Sequence, residues 1–174
     1  MLSTSLLREF ERILGQDKVF CDESELVAHS YDAAPLEQRM PSLVVRPTTR
    51  DEVGGVVRLC HENGLPLTVR GAGTNLSGGT VPALGGVVLL TGGMKRILEL
   101  SPEDMYAVVE PGVITASLAK AAEEHGLFYP PDPGSMAVST LGGNVAENAG
   151  GLRGLKYGVT RDYILEVGAV LPTG

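Results

Sequence analysis

Glycine occupies 23 of 174 positions and crowds into two stretches, Gly71 to Gly93 and Gly134 to Gly158, and this crowding most restricts what the chain can fold into. Each glycine costs roughly 1 kcal/mol in a helix interior relative to alanine, so neither stretch reads as continuous regular structure. What glycine offers in return is left-handed backbone and close approach of the main chain to a ligand. Any regular element inside them must be short.

Apolar residues at Leu6, Leu7, Phe10, Ile13 and Leu14 form a helical stripe over Leu2 to Leu14, with Gly15 as its stop. A short helix is expected over Glu23 to Ser30, and Leu43-Val44-Val45 reads as a buried strand ended by Pro47. Thr49-Arg50-Asp51-Glu52 has the spacing of a capping box, which predicts a helix from Arg50 to about Asn63 with Val53, Val56, Val57 and Cys60 inward. Pro66 to Val69 is the next strand, and Leu43 to Val69 makes a strand, helix, strand unit with a parallel pair. Beyond it, Gly86 to Leu90, Ile97 to Leu100 and Tyr106 to Val109 read as short strands and Thr115 to His125 as a helix. Phe128 to Pro133 is an extended, proline-rich loop, Ser139 to Asn148 a short helix, and Asp162 to Leu171 a strand-like stretch in want of a hairpin partner.

Composition narrows the function classes. With 43% hydrophobic and 20% charged residues the chain reads as a soluble globular domain. Its longest apolar run, Val87 to Leu90, is far short of the roughly 20 residues that cross a bilayer, and the first residues do not resemble a secretion signal, so a cytoplasmic location is expected. Acidic residues outnumber basic ones by 21 to 14, and the lysines and arginines are scattered, which argues against nucleic acid as a partner. Cys21 and Cys60 stand far apart with no metal-ligand spacing, so no metal site is assigned. His61 and His125 fall near predicted helix ends, where a cation complements the dipole, and no histidine lies in a glycine loop; no catalytic residue is assigned.

The first glycine loop, Arg70-Gly71-Ala72-Gly73-Thr74-Asn75-Leu76-Ser77-Gly78-Gly79, leaves the carboxyl end of a strand, so successive backbone N–H groups can turn toward one anion. A diphosphate suits it. Leu76 stands where a dinucleotide fingerprint has its third glycine, and no GK[ST] marks a P-loop. Further on, Pro131-Asp132-Pro133-Gly134-Ser135 is a rigid turn, and Leu141-Gly142-Gly143-Asn144 runs on through Asn148 to Gly150-Gly151. Small residues there let two backbone layers approach a flat ligand, with amides for neutral hydrogen bonding, as a flavin requires. Tight surface turns and a glycine-rich packing corner are the plainer readings of the same segments.

Taken in order, Pro47-Thr48-Thr49 with Glu52-Val53, Arg70 to Asn75, Pro131 to Ser135 and Gly142-Gly143-Asn144 resemble the family of the glycolate oxidase flavoprotein subunit and D-lactate dehydrogenase. That family belongs to the p-cresol methylhydroxylase and vanillyl-alcohol oxidase superfamily. The resemblance runs from about Leu43 to Gly174 and is weaker around Tyr31 and Asp32. It implies an α+β fold, the FAD-binding p-cresol methylhydroxylase type, in which a small parallel α/β subdomain is followed by an antiparallel-sheet subdomain, here incomplete. Residues 1–40 would form an N-terminal helical segment, and residues 41–174 the FAD-binding domain, truncated at its C-terminal end.

The resemblance assigns FAD to Pro47, Arg70, Gly71, Gly73, Thr74, Asn75, Ser77, Gly78 and Gly79, around the pyrophosphate, and to Pro131, Asp132, Gly134, Ser135, Thr140, Gly142, Gly143, Asn144, Asn148, Gly150 and Gly151, around the dinucleotide and flavin. Thr74 stands near where some members carry a histidine bonded to FAD, so the cofactor is expected to be non-covalent. The implied activity is oxidation of a small 2-hydroxy acid, lactate or glycolate, to the 2-keto acid, once a C-terminal part supplies the catalytic residues. An electron-transfer subunit or self-association is the implied partnership. Two alternatives stay open: a non-catalytic assembly fragment that keeps part of the FAD site, and a binder of some other nucleotide.

Overall fold

The structure is a computed structural model and describes residues 2–35 and 38–174. The chain divides into two compact units, one running through Gly93 and including Gly168–Gly174, the other Met94–Val167.

The first unit opens with α1 (Thr4–Leu14), capped by the Ser3 side chain, which accepts from the Leu6 N–H at 3.3 Å. Its stripe is as expected: Phe10 and Leu14 are buried, with Leu6, Leu7 and Ile13 packed beside them. There follow β1 (Val19–Phe20), α2 (Glu23–Ala28), β2 (Leu43–Val45), α3 (Arg50–Glu62), β3 (Leu67–Arg70) and β4 (Val87–Leu90). The Thr49 hydroxyl caps α3 by accepting from the Glu52 N–H at 3.2 Å. The return bond goes one residue further back than a capping box has it, from the Thr48 N–H to Glu52 at 2.7 Å. Lys18 reaches the other oxygen of Glu52 at 2.6 Å and ties α3 to the segment before β1. Of the inward positions expected on α3, Val56 and Cys60 are buried, and Val53 packs beside them together with Leu59 rather than Val57.

The sheet has the order β1-β2-β4-β3. Both β2 and β3 are parallel to β4, with Leu43 and Leu67 in register with Val87, and β1 lies antiparallel at the β2 edge. One expectation is corrected here. Strands β2 and β3 do not pair with each other, because β4 is inserted between them. The strand expected over Gly86 to Leu90 is present as β4 and belongs to this parallel sheet. The reason is burial: all four residues of β4 are buried, so the strand needs a neighbour on each edge and cover on each face. Strand alternation sorts the core accordingly. Leu43, Val45, Val87 and Leu89 face Phe10, Leu14, Val56 and Cys60, whereas Val44, Val88 and Leu90 face Phe20 and Leu26. Burial pushes the Cys60 thiol up to about 11, which leaves it an apolar packing group.

The second unit begins with an antiparallel pair, β5 (Ile97–Ser101) and β6 (Tyr106–Val109), whose turn holds Met105 at a positive φ of 57°. It continues through α4 (Thr115–Glu123), α5 (Leu141–Glu147) and α6 (Gly154–Tyr157). Val113, Leu118 and Leu141 form its core, with Ile97, Ala107, Val109 and Tyr129 against them. Glu110, buried, takes the Arg96 guanidinium at 2.7 Å and the Arg96 N–H at 2.7 Å. The strand expected over Asp162 to Leu171 is absent: a short 3-10 turn over Thr160–Tyr163 gives way to irregular chain. Leu165 and Val167 are exposed, and among the described residues no strand pairs with this stretch, so its backbone has no ladder to join. No described helix is long and apolar enough to cross a membrane.

Removing the side chain of a residue fixed in β4 is expected to be costly. Leu89→Ala is predicted to lower stability by about 2–5 kcal/mol in urea unfolding followed by far-ultraviolet circular dichroism. Leu84→Ala, at a position 84% exposed, should stay within about 0.5 kcal/mol of the parent.

Candidate cofactor-binding loops

Parallel neighbours cannot be joined by a tight turn, so the chain leaving β3 must travel back along the sheet before entering β4. A helix usually makes this crossing. Here residues 71–86 make it without one, and the first glycine loop is the opening of that crossover. It lies beyond the carboxyl end of a parallel strand, where open α/β sheets place their ligands.

Arg70, at the end of β3, is buried, and its guanidinium donates to the Tyr31 carbonyl at 2.5 Å and to the Thr80 hydroxyl at 3.5 Å. Burial draws it below the ordinary guanidinium value, and the nearby Asp32 charge opposes that shift. Gly73 lies over this group at φ 68°, and a Cβ there would come within 2.2 Å of the Arg70 Nη2. Only glycine suits both the conformation and the space. Among the described residues the backbone N–H groups of Gly71, Ala72, Gly73 and Thr74 meet no acceptor, while the Gly73 carbonyl receives the Ala33 N–H at 3.1 Å. Four adjacent main-chain donors without partners among the described residues suit a diphosphate, whose oxygens only accept.

The side chains of the loop are engaged with protein. Asn75 donates to Asp32 at 2.8 Å and to the Ser77 hydroxyl at 3.3 Å, and the Gly79 N–H also donates to Ser77. Gly78 has a positive φ of 76° and its carbonyl accepts from Val81. Asp32 also accepts from the Ala34 N–H at 2.8 Å and from Thr80 at 3.2 Å. Burial acts to raise the Asp32 carboxyl, but these three hydrogen bonds outweigh it and hold the group below the usual carboxylate value. Pro47, the remaining assigned residue of this unit, is fully buried just after β2.

In the second unit the assigned residues fall into two clusters. Thr140 caps α5, accepting from the Gly143 N–H at 3.3 Å, and the first turn is pinned by Leu141 and Gly142 N–H bonds to the Val113 and Pro111 carbonyls, each 2.8 Å. Asn144, buried, donates to the Thr115 hydroxyl at 2.7 Å, and Thr115 meets Ser139 at 2.9 Å. Asn148 ends the helix at φ 50°, and its side chain accepts the Arg161 N–H at 3.0 Å. The second cluster joins Asp132 to the Gly151 turn: its carboxylate accepts the Arg153 N–H at 3.0 Å and lies 3.5 Å from the Arg153 guanidinium. A Cβ on Gly151 would come within 2.1 Å of the Asp132 carbonyl oxygen. Pro131 is buried, Ser135 partly so, and its carbonyl receives the Ser139 N–H. Gly134 is exposed with nothing within 4 Å, and Gly150 rests against Val159. Tyr157 meets Phe128 edge-on, ring centroids 5.5 Å apart, and is 39% exposed.

Asp32, Thr80, Thr115 and Ser139 were not singled out as site residues from the sequence. Asp32 carried a weak family signal, and Thr80 lies one residue beyond the loop as bounded. The partnership of Thr115 and Ser139, 24 residues apart, left no trace in spacing.

Comparison with known proteins settles the family. Residues 41–174 match the family described as FAD binding domain. The chain belongs to that family. Glycolate oxidase subunit GlcD of Bacillus subtilis (strain 168) is 46% identical over 100% of this chain and 37% of its own length. D-lactate dehydrogenase of Anaerostipes hadrus is 41% identical over 99% of this chain and 36% of its own length. The chain therefore spans little more than a third of these relatives. Among solved structures, p-cresol methylhydroxylase with substrate bound superposes with a TM-score of 0.72 at 29% identity, over 83% of this chain and 29% of that one. The fold is thus the α+β, FAD-binding p-cresol methylhydroxylase type, with FAD as the cofactor of the family, as the sequence motifs implied.

Two outcomes follow from the loop geometry. Gly151→Ala should destabilise the protein by about 1–3 kcal/mol in urea unfolding, because the methyl meets backbone that cannot yield, whereas Gly134→Ala should be neutral or slightly stabilising. The depressed Asp32 carboxyl contributes stability that is complete above its unfolded value of about 4 and is lost as pH falls through the lower folded value. The urea midpoint should therefore decline from pH 5 to pH 3, and less steeply in Asp32→Asn.

Proposed function

We propose that this chain is the FAD-binding portion of a flavin-dependent oxidoreductase that oxidises a small 2-hydroxy acid, lactate or glycolate, to the 2-keto acid. The observation that carries the reading is the run of four main-chain donors from Gly71 to Thr74, beyond the end of β3, that have no partner among the described residues, in a chain whose motifs follow the family's order. Those donors, with Gly78 and Gly79, are assigned the pyrophosphate; Arg70, Asn75 and Ser77 shape the loop around it. Pro131 to Ser135, the first turn of α5 and the Asn148 to Gly151 segment are assigned the remainder of the dinucleotide and the flavin. Thr74 stands near the position where some members carry the histidine bonded to FAD, and a threonine in its place supports non-covalent binding.

When bound, FAD supplies the electron-accepting chemistry, and the described residues bind, orient and shield it. His29, by contrast, holds the Glu25 carbonyl with Nδ1 at 2.8 Å, and His61 lies in the last turn of α3. Substrate recognition and proton removal are assigned to the part of the enzyme that the relatives have beyond the length matched here. The name of the Bacillus relative, a subunit, supports an electron-transfer or assembly partner. The lack of a described membrane-crossing helix is compatible with a cytoplasmic enzyme.

Titration of FAD with the protein, followed by quenching of flavin fluorescence, tests the assignment. Binding should weaken at least tenfold in Ala72→Asp, which brings a carboxylate to the exposed face of the diphosphate donors, and stay close to the parent in Ala72→Ser. Equal binding by parent and Ala72→Asp, or none by the parent, would count against the loop as the FAD site.

A further inference from the structure

We propose that Asp32 is the positioning residue of the diphosphate loop, a role that rests on the FAD reading for its purpose but on the protein alone for its geometry. Residues 71–80 have no helix or strand of their own, and the one large apolar side chain at the tip, Leu76, is 77% exposed. Hydrophobic packing therefore does not set the loop's shape. Polar contacts to the segment Tyr31–Ala34 do.

Asp32 is central among them. The Ala34 N–H fixes one carboxylate oxygen on its own segment, an Asx-type turn. The other oxygen faces the Asn75 amide at 2.8 Å and the Thr80 hydroxyl at 3.2 Å, so one atom ties together two points of the loop five residues apart. The Thr80 hydroxyl has a single proton and lies 3.0 Å from the Asn75 carbonyl oxygen, an alternative acceptor within the same cluster. Next to Asp32, the Ala33 N–H holds the Gly73 carbonyl, which turns the neighbouring N–H groups away from the segment. Arg70, bonded to Tyr31 and Thr80, balances the Asp32 charge. A diphosphate thus meets main-chain donors above a neutral pair and not an uncompensated carboxylate.

The chemistry explains why the group is a carboxylate. Every polar neighbour on the loop side donates, and a carboxylate only accepts. Asparagine would set its own amide N–H against that of Asn75 or, flipped, against the Ala34 N–H.

Amide exchange on the ligand-free protein, read residue by residue, tests this. In Asp32→Asn, exchange at Ala33 and Val81, whose N–H groups hold the loop carbonyls of Gly73 and Gly78, should accelerate at least tenfold, with Val44 and Val88 in the sheet unchanged. FAD affinity should fall at least tenfold, and the exchanged pair Asp32→Asn with Asn75→Asp, which restores the amide-to-carboxylate bond, should return loop exchange to within about threefold of the parent. Parent-like exchange at Ala33 and Val81 would overturn the proposal, as would loosened loop amides with undiminished FAD affinity. If Asp32→Asn also speeds exchange at Val88, the unit has unfolded, and Thr80→Val decides instead: a rise confined to the loop amides supports the role and no rise defeats it. A parent that binds no FAD would sink the FAD reading alone, because loop exchange is read without the cofactor.

Discussion

Inserting β4 between β2 and β3 is the constraint from which the first unit follows. Val87, Val88, Leu89 and Leu90 are all buried, and such a strand is stable only with a partner along each edge and side chains over each face. Because the order is parallel, the chain must cross back over the sheet twice. The first crossing is α3, whose buried stripe covers one face; the second is the glycine-rich segment from residue 71 to 86. A crossover built without a helix has no ladder to satisfy its main chain, and this leaves donors for a ligand.

Such a loop needs another source of order. In this unit it comes from polar contacts with the Tyr31–Ala34 segment, and the buried Arg70 and Asp32 compensate one another's charge. The second unit applies the same principle with a neutral cluster and a carboxylate. Thr115, Ser139 and Asn144 form a buried hydroxyl and amide cluster beneath the first turn of α5, and Asp132 anchors the turn at Gly151. Several side chains assigned to the cofactor by resemblance are thus occupied by protein, which shifts the burden of recognition toward main-chain groups. A chain of net charge -7 has good reason to bind an anionic cofactor in this way, since main-chain donors do not depend on a surplus of cations.

Much of this was legible in the residues. The stripe of α1, the Thr49 cap of α3, the short helix expected over Ser139 to Asn148 and the proline-rich extended segment are local features, and local chemistry predicts them. The ordered motifs from Pro47 to Asn144 likewise carried the family. Other features were not local. A two-residue strand such as β1 has no periodicity to detect, and it exists only because β2 offers it an edge. The strand expected after Asp162 failed for the converse reason, since its apolar residues found no edge to join.

The sequence alone therefore determined where helices start, which side chains seek burial, where the main chain can take left-handed or closely packed forms, and which family the loops come from. Each of these is settled by neighbours a few residues apart or by a motif read in order. Only the tertiary structure decided that β4 divides the expected parallel pair, that Asp32 and Thr80 brace the first loop, and that Thr115 and Ser139 support Asn144. The reason is that strand order and buried hydrogen bonds join residues tens of positions apart, and the free energy of such contacts depends on which surfaces meet, a quantity that no local pattern contains.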